Sequence, residues 1–282
     1  MKKIIHIILF LTILFTATLF YARFIGTTGL ITHEIVIKDN NLLESYDGLK
    51  IVHFSDLHYT RVITNTRVSE LIDEINLINP DIGFFTVDLI DTNGTPNDKN
   101  KRKLINFLQK INPKYGKYAI IGNHDYDKHL ELVEEIYESS NFKLLKNDYD
   151  IIYNQNNDKL FIGGLDTFSY DLSDIDKTME YFNENEDINY KIILVYEPDY
   201  ADEIVNKYPD VNLILSGHSH GGQVRLPFIG GLFKNNRAKK YNDDYYKINN
   251  TNLYVSYGIG VSRYNFRLFD RPSINFYRIY QK

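Results

Sequence analysis

The sequence has no cysteine and no tryptophan, and only two methionines among its 282 residues. Without cysteine, the chain has no disulfides, no thiolate zinc site and no thiol nucleophile. It also lacks an excess of positive charge, because residues 31–282 carry 29 Lys and Arg against 37 Asp and Glu, a net charge of −8. Broad nucleic-acid binding needs a basic surface. We therefore expect no nucleic-acid partner, and any metal site has to be built from Asp, His and Asn.

The first 30 residues contain no acidic residue and three basic ones, Lys2, Lys3 and Arg23. Residues 4–21 form an apolar run broken only by His6 and three threonines. Its length suits a membrane span of about 17–25 residues better than a signal-peptide core, which has about 7–15. We predict an uncleaved single-pass anchor in the cell membrane, with cleavage and secretion as the alternative. The positive-inside rule predicts a cytoplasmic N-terminus and an extracytoplasmic body.

Short apolar runs alternate with amphipathic helical patterns in the first half of the body. This alternation predicts parallel strands with crossover helices, and hence an α/β layered fold. The second half adds further short strands, and no internal repeat or Pro, Gly or Ser-rich linker divides it. We divide the chain into an anchor at residues 1–28, a connecting strand segment at 29–48 and one domain at 49–282. The predicted strands lie at residues 50–54, 82–87, 118–121, 142–145, 150–153, 160–163, 192–195, 213–215, 253–255 and 274–280, and the predicted helices at 68–77, 101–111, 130–137 and 201–207.

Four polar clusters come directly after predicted strands. They are Asp56-Leu57-His58, Asp88-Leu89-Ile90-Asp91, Gly122-Asn123-His124-Asp125 and Gly217-His218-Ser219-His220. Each cluster alone is typical of an ordinary turn or loop. In α/β sheets, however, ligand sites gather at the carboxyl ends of the strands, so the four clusters together predict one site. Carboxylate, imidazole and amide ligands suit divalent Mn, Fe, Zn or Mg.

These clusters resemble the D-x-H, G-D-x-x-D, G-N-H-D/E and G-H-x-H motifs of the calcineurin-like metallophosphoesterases, from about Lys50 to the C-terminus. The membrane-anchored bacterial branch is similar through GNHDY at 122–126, GHSHGGQVRLP at 217–227 and RLFDRP at 267–272. The resemblance implies a four-layer sandwich of two β-sheets flanked by helices, preceded here by a transmembrane helix. It further implies a hydrolase that cleaves a phosphate ester or pyrophosphate by attack of metal-bound hydroxide.

The resemblance also assigns roles to individual residues. The metal ligands would be Asp56, His58 and His220 for a first ion, Asp88 as a bridge, and Asn123 and His218 for a second. His124 would act at the phosphate, oriented by Asp91. The membrane-anchored relatives suggest a lipid-linked substrate, such as UDP-2,3-diacylglucosamine, and a place in lipid metabolism. We expect Arg267 either to bind a phosphate outside the metal site or to form a surface ion pair.

Two positions depart from the pattern of the family. Val87 replaces the glycine of G-D-x-x-D, so we expect a local shift of the backbone. Tyr196 replaces the histidine of H-x-P-D, which would ligate the second ion. Three interpretations stay open: Tyr196 binds as a phenolate despite a usual pKa near 10, Glu197 or water takes its place, or the second site is weakened. The last interpretation leads to the alternative function, a catalytically weakened or inactive metal-binding membrane protein.

Overall fold

The computed structural model describes residues 1–60, 62–184, 188–262 and 264–282. Helix α1 (Lys2–Phe20) continues as a π-helical turn over Tyr21–Ile25, and none of the α1 side chains is buried. The whole stretch Lys2–Ile25 has a mean hydropathy of 2.3, which makes it a candidate membrane span by length and composition. The predicted apolar anchor is therefore one helix in the structure.

The body contains seven further helices and fourteen strands among the described residues. The helices are α2 (Asn65–Ile78), α3 (Asp98–Gln109), α4 (Asn123–Lys128), α5 (Leu130–Ser139), α6 (Ile175–Thr178), α7 (Glu180–Glu184) and α8 (Ala201–Lys207). The strands are β1 (Ile31–Asp39), β2 (Leu49–Phe54), β3 (Ile82–Phe85), β4 (Lys117–Ala119), β5 (Lys143–Leu144), β6 (Asp148–Tyr153), β7 (Lys159–Gly164), β8 (Tyr190–Val195), β9 (Leu213–Ser216), β10 (Arg225–Leu226), β11 (Gly230–Gly231), β12 (Tyr245–Ile248), β13 (Thr251–Val255) and β14 (Ser273–Gln281).

The first sheet has six strands in the order β1-β14-β2-β3-β4-β5. Strands β2, β3, β4 and β5 are parallel, and β14 is antiparallel to β2. Strand β1 pairs with β14 in parallel along its whole length, from Ile31 opposite Ser273 to Asp39 opposite Gln281. The segment predicted as a connecting strand is thus an edge strand of this sheet.

The second sheet has the order β12-β13-β9-β8-β7-β6. Its four central strands are parallel, and the two edge strands β12 and β6 run antiparallel to their neighbours. A separate two-stranded hairpin is formed by β10 and β11. Because β12 and this hairpin have strands of only two to four residues, the apolar patterns of the sequence do not predict them.

The two sheets pack together and helices cover their outer faces. Side chains alternate across a strand, so every second residue of β7 and β8 faces the same way. Leu160, Ile162, Ile192 and Leu194 accordingly join the core that holds Phe54 and Phe85 of the first sheet. Phe161 and Ile193 instead pack with Ile204 of α8 in a second core. This arrangement of two mixed sheets between helices confirms the predicted layered fold.

Candidate metal centre

The four polar clusters meet where β2, β3, β4 and β9 end. Hydrogen bonds tie the loops together, from the Asp56 amide to the Val87 carbonyl (2.5 Å) and from the His58 amide to the Asp88 carbonyl (3.1 Å). The predicted strand over 82–87 ends early at Phe85, and Val87 has a φ of 31° in the region that favours glycine. Val87 thus adopts a backbone conformation that favours glycine, and the carboxylate of Asp88 reaches the site.

Four of the predicted ligands have backbones in the left-handed region. Their φ angles are 50° at Asp56, 45° at His58, 66° at His218 and 49° at His220. Such a conformation costs about 1–3 kcal/mol for a residue other than glycine, and it persists where the surrounding structure enforces it. The fold holds these side chains in place at a cost to its stability, as is typical of functional sites.

Asp56, His58 and His220 form one compact group of possible ligands, all buried. The Nε2 atoms of the two histidines face each other at 3.1 Å, and His220 Nε2 lies 3.5 Å from Asp56 Oδ1. A nitrogen ligand sits about 2.0–2.1 Å from a zinc ion, so two nitrogens at this separation can both reach one cation. Burial lowers the pKa of His220 well below its usual value, which leaves its lone pair free to bind.

Asp88 lies between this group and His124, as a bridging ligand would. Its Oδ2 atom is 3.6 Å from His58 Nε2 and 4.0 Å from His124 Nε2. Burial raises the pKa of Asp56 to about 7 and that of Asp88 well above its usual value, and the negative charge of Asp56 adds to the shift at Asp88. Two buried carboxylates whose charges interact need a compensating positive charge, which a divalent cation supplies.

Asn123 and His218 complete the predicted second side of the site. The Oδ1 atom of Asn123 is buried and has no hydrogen-bond partner among the described residues. His218 Nε2 lies 2.7 Å from the Asn236 carbonyl, which can only accept, so Nε2 carries the proton and Nδ1 presents its lone pair. A backbone acceptor on the far nitrogen is the usual support of a metal-binding histidine. The described residues therefore fit a divalent metal centre.

Tyr196 is buried against both carboxylates. Its hydroxyl donates to Asp88 Oδ2 at 2.5 Å and lies 3.1 Å from Asp56 Oδ1. Burial raises the pKa of Tyr196 well above its usual value, and the charges of Asp88 and Asp56 raise it further. Without a bound metal the phenol therefore keeps its proton and donates it in a hydrogen bond to Asp88, so the phenolate interpretation requires a cation that displaces this proton.

Glu197 points away from the ligands, contrary to the interpretation that it replaces the missing histidine. Its carboxylate accepts hydrogen bonds from the Thr167 hydroxyl (2.6 Å) and from the Phe168 and Ser169 amides (both 3.0 Å). Three donors satisfy this buried group, so Glu197 has a structural role in the loop after β7.

Asp91 also differs from its predicted role of orienting His124. Its Oδ2 atom lies 3.8 Å from His58 Nδ1, and its Oδ1 atom accepts from the Asn93 amide at 2.9 Å. The Nδ1 atom of His124 instead contacts the hydroxyl of Thr92. Asp91 thus lies nearer to His58, and the contact with His124 comes from Thr92, the next residue along the chain, which was not among the predicted site residues.

Asp125, the last residue of its cluster, has a structural role that its place in the sequence did not predict. Its buried carboxylate accepts from the Leu89 amide at 3.1 Å and from the Gly122 amide at 3.4 Å. These bonds join the loop after β3 to the start of α4, so Asp125 fixes Asp88 relative to Asn123.

Arg267 is fully buried, so both predictions for it, phosphate binding and a surface ion pair, are wrong. Its guanidinium donates to the carbonyls of Tyr257 (2.7 Å), Gly258 (3.2 Å) and Gly260 (2.7 Å), and it pairs with Asp270 at 3.2 Å. One nitrogen also lies 3.4 Å from His220 Nδ1. Arg267 therefore holds the loop after β13 against the metal ligands.

An open cavity of about 410 Å³ lies over the predicted ligands. Asp88, His124, His218 and His220 line it, and the polar side chains of Asn93, Ser169, Asn235 and Ser262 surround them. His124 is the half-exposed member, with 30% of its side chain accessible. The site thus combines a buried set of metal ligands with one accessible imidazole, which is what hydrolysis of a phosphate ester requires.

The fold and site define a metallophosphoesterase, and comparison with known proteins agrees. The family model of the calcineurin-like phosphoesterases matches residues 49–222, so the chain belongs to that family. It is therefore a hydrolase that cleaves phosphate esters with divalent metals.

Several relatives extend the similarity over most of the chain. The metallophosphoesterase YkuE of Bacillus subtilis is 33% identical over 260 residues, which cover 92% of this chain and 88% of YkuE. The phosphodiesterase YaeI of Escherichia coli is 25% identical over 88% of this chain and 87% of its own length. A transmembrane protein with a metallophosphoesterase domain from Danio rerio is 26% identical over 71% of this chain and 49% of its own length.

Replacing Arg267 with methionine should destabilise the whole fold. The change leaves the buried Asp270 without its partner, so we expect the free energy of unfolding to fall by about 3–5 kcal/mol. The matched control is Arg278→Met, which breaks the exposed pair with Glu34 and should lower the stability far less. Chemical unfolding of the full chain in detergent measures both, and equal losses would contradict the structural role of Arg267.

Replacing Thr92 with valine should slow turnover without weakening substrate binding. The loss of one hydrogen bond to His124 is worth about 0.5–1.5 kcal/mol, and 1.4 kcal/mol is a factor of about ten in rate. We expect kcat on an aryl phosphodiester to fall by up to about tenfold with KM unchanged. Thr92→Ser keeps the hydroxyl and should restore the rate, whereas a defect shared by both variants would speak against a positioning role.

Proposed function

We propose that this phosphoesterase hydrolyses a phosphate ester or pyrophosphate carried by a lipid, at the outer face of the membrane that holds its N-terminal helix. The single observation that carries this proposal is the direct contact between the end of the span and Arg267, which packs behind the metal ligand His220. The amide of Arg267 donates to the carbonyl of Ala22 at 2.9 Å, and the side chain of Arg267 lies beside His220. A UDP-2,3-diacylglucosamine-type pyrophosphate is the substrate we would test first.

Each residue of the site has its own role in this proposal. Asp56, His58 and His220 would hold one metal ion, Asp88 would bridge to a second, and Asn123 and His218 would hold that second ion. Divalent metals, when bound, polarise the phosphate and supply hydroxide near neutral pH. The half-exposed His124 would give a proton to the leaving oxygen, with Thr92 fixing the ring. The open cavity leaves room for the phosphate above Asp88.

The proposed activity requires a metal and His124. We expect the full chain in detergent to hydrolyse bis(4-nitrophenyl) phosphate when Mn²⁺ is added and to lose this activity with a chelator. His124→Ala removes the proton donor, which should lower kcat by about 10²–10⁴-fold. The matched control is His33→Ala, since His33 is exposed on β1, away from the ligands. Absence of metal-stimulated turnover in the wild type on both this ester and UDP-2,3-diacylglucosamine would overturn the proposal.

Tyr196 supports a second candidate, a metal-binding protein with weakened catalysis. Its hydroxyl donates to Asp88 where a histidine would present a lone pair to the second ion. The second site then keeps Asp88, Asn123 and His218 from this chain, which is one ligand fewer than in the family. We propose that the first ion binds tightly and the second weakly.

The test of this candidate is the metal content of the chain. After dialysis we expect about one ion per chain in the wild type and in Tyr196→Phe, and about two in Tyr196→His, the number of a complete two-metal site. Mass spectrometry of the metals measures this without any assay of activity. Two tightly held ions in the wild type, or one in Tyr196→His, would show that Tyr196 does not limit the second site.

A further inference from the structure

An exposed apolar surface lies beside the metal site and outside the membrane span. Its side chains are all large, and they are exposed by 45% or more of their area. We call this surface the apolar lip and define it by six residues: Phe228, Ile229, Leu232, Phe233, Tyr264 and Phe269. Isolated exposed apolar residues are ordinary in soluble proteins, but a group of this size marks an interaction surface.

Two segments of the chain build the lip, and they are bonded to each other. Val224, at the base of the β10–β11 hairpin, forms a bridge to Leu268, and the Arg225 amide donates to the Leu268 carbonyl at 2.9 Å. The rings of Phe233 and Tyr264 lie 6.1 Å apart. The hairpin and the segment around Leu268 therefore form one surface.

The segment around Leu268 is also attached to the end of the membrane span. Besides the bond from Arg267 to Ala22, the Arg271 guanidinium donates to the Thr28 carbonyl at 3.1 Å. Gly26 packs so closely on Arg267 that a Cβ at Gly26 would lie 1.9 Å from the Arg267 carbonyl oxygen. The lip is consequently continuous with the point at which the span leaves the membrane.

The segment at residues 224–240, which carries part of the apolar lip, is positively charged, whereas the body is negatively charged. Residues 224–240 contain five Lys and Arg and no Asp or Glu, whereas residues 31–282 have a net charge of −8. Two of these five cations pair with Asp243 and Asp202. Lys234, Arg237 and Lys239 make no ion pair among the described residues. Apolar and aromatic side chains flanked by cations are typical of segments that lie in the membrane interface.

We propose that the apolar lip inserts into the headgroup region of the bilayer that holds the span. The occupant of this surface is the lipid bilayer, because the lip adjoins the span and carries the charge that anionic headgroups attract. Asn235 and Asn236, which follow the lip residue Phe233 in the sequence, also line the cavity. The side-chain amide of Asn235 donates to the His218 carbonyl at 2.6 Å, and the Asn236 carbonyl accepts from His218. The mouth of the metal site would then open at the membrane surface.

The absence of cysteine in the chain allows a direct test by single labels. Full-length Phe228→Cys and Phe269→Cys are labelled with an environment-sensitive fluorophore and placed in nanodiscs of phosphatidylcholine and phosphatidylglycerol. The matched control is Leu77→Cys, because Leu77 is 81% exposed at the end of α2. Helix α2 connects two parallel strands, so it carries the chain from the carboxyl end of the sheet, where the site lies, back to the amino end. Leu77 is near the end of α2 and therefore lies away from the site.

Doxyl groups near the headgroups should quench about half of the emission at residues 228 and 269, because interfacial segments lie about 5–10 Å into the headgroup and acyl boundary. Residue 77 should lose almost none. Emission at 228 and 269 that stays as water-exposed as at 77 would overturn the proposal. So would an apolar shift without doxyl quenching, which would show that a protein or a second copy covers the lip. This readout is independent of hydrolysis, so it separates failure of this inference from failure of the proposed function.

Discussion

Two carboxylates, Asp56 and Asp88, are buried where the two sheets meet, and the surrounding groups are arranged to compensate their charge. A buried carboxylate without a partner is very costly. Here the Tyr196 hydroxyl and the backbone amides of His218 and His124 donate to the pair. The imidazoles of His58 and His220 face each other with their Nε2 atoms 3.1 Å apart, and burial disfavours protonation of His220. A divalent cation satisfies both demands at once, since it neutralises the carboxylates and accepts the nitrogen lone pairs.

The loops that carry these ligands are strained, and other buried polar side chains hold them. Asp125 joins two of the loops through backbone amides, and Arg267 binds the carbonyls of the loop after β13. Both side chains are fully buried, and neither lines the cavity. They act on the chemistry only through the positions of the ligands. The energy of these buried contacts offsets the cost of the left-handed backbones at Asp56, His58, His218 and His220.

The sequence predicts which polar clusters meet in the structure, because strand periodicity locates the carboxyl ends of β2, β3, β4 and β9 and the polar clusters follow directly. It predicts the partners of the side chains in these clusters poorly. Asp91 and Thr92 are neighbours in sequence, and the direction of the turn after β3 alone decides that Thr92 reaches His124. A charged residue such as Arg267 is expected at the surface from the sequence. In the structure it is buried, because carbonyls within residues 257–260 accept its hydrogen bonds. Such contacts depend on loop geometry over a few ångströms, which no periodic pattern encodes.

The contacts of Arg267 also connect the two ends of the molecule. Its backbone amide binds the carbonyl of Ala22, and its guanidinium lies beside His220. An anchor joined to its domain by a flexible linker would let the catalytic site face any direction. Here the chain leaves the span at Ile25, is held to residues 267–271 by backbone contacts and enters the first sheet at Ile31. The direction in which the cavity opens is therefore set relative to the N-terminal helix, and under the proposed function the membrane would be one of the constraints on which phosphate can reach His124.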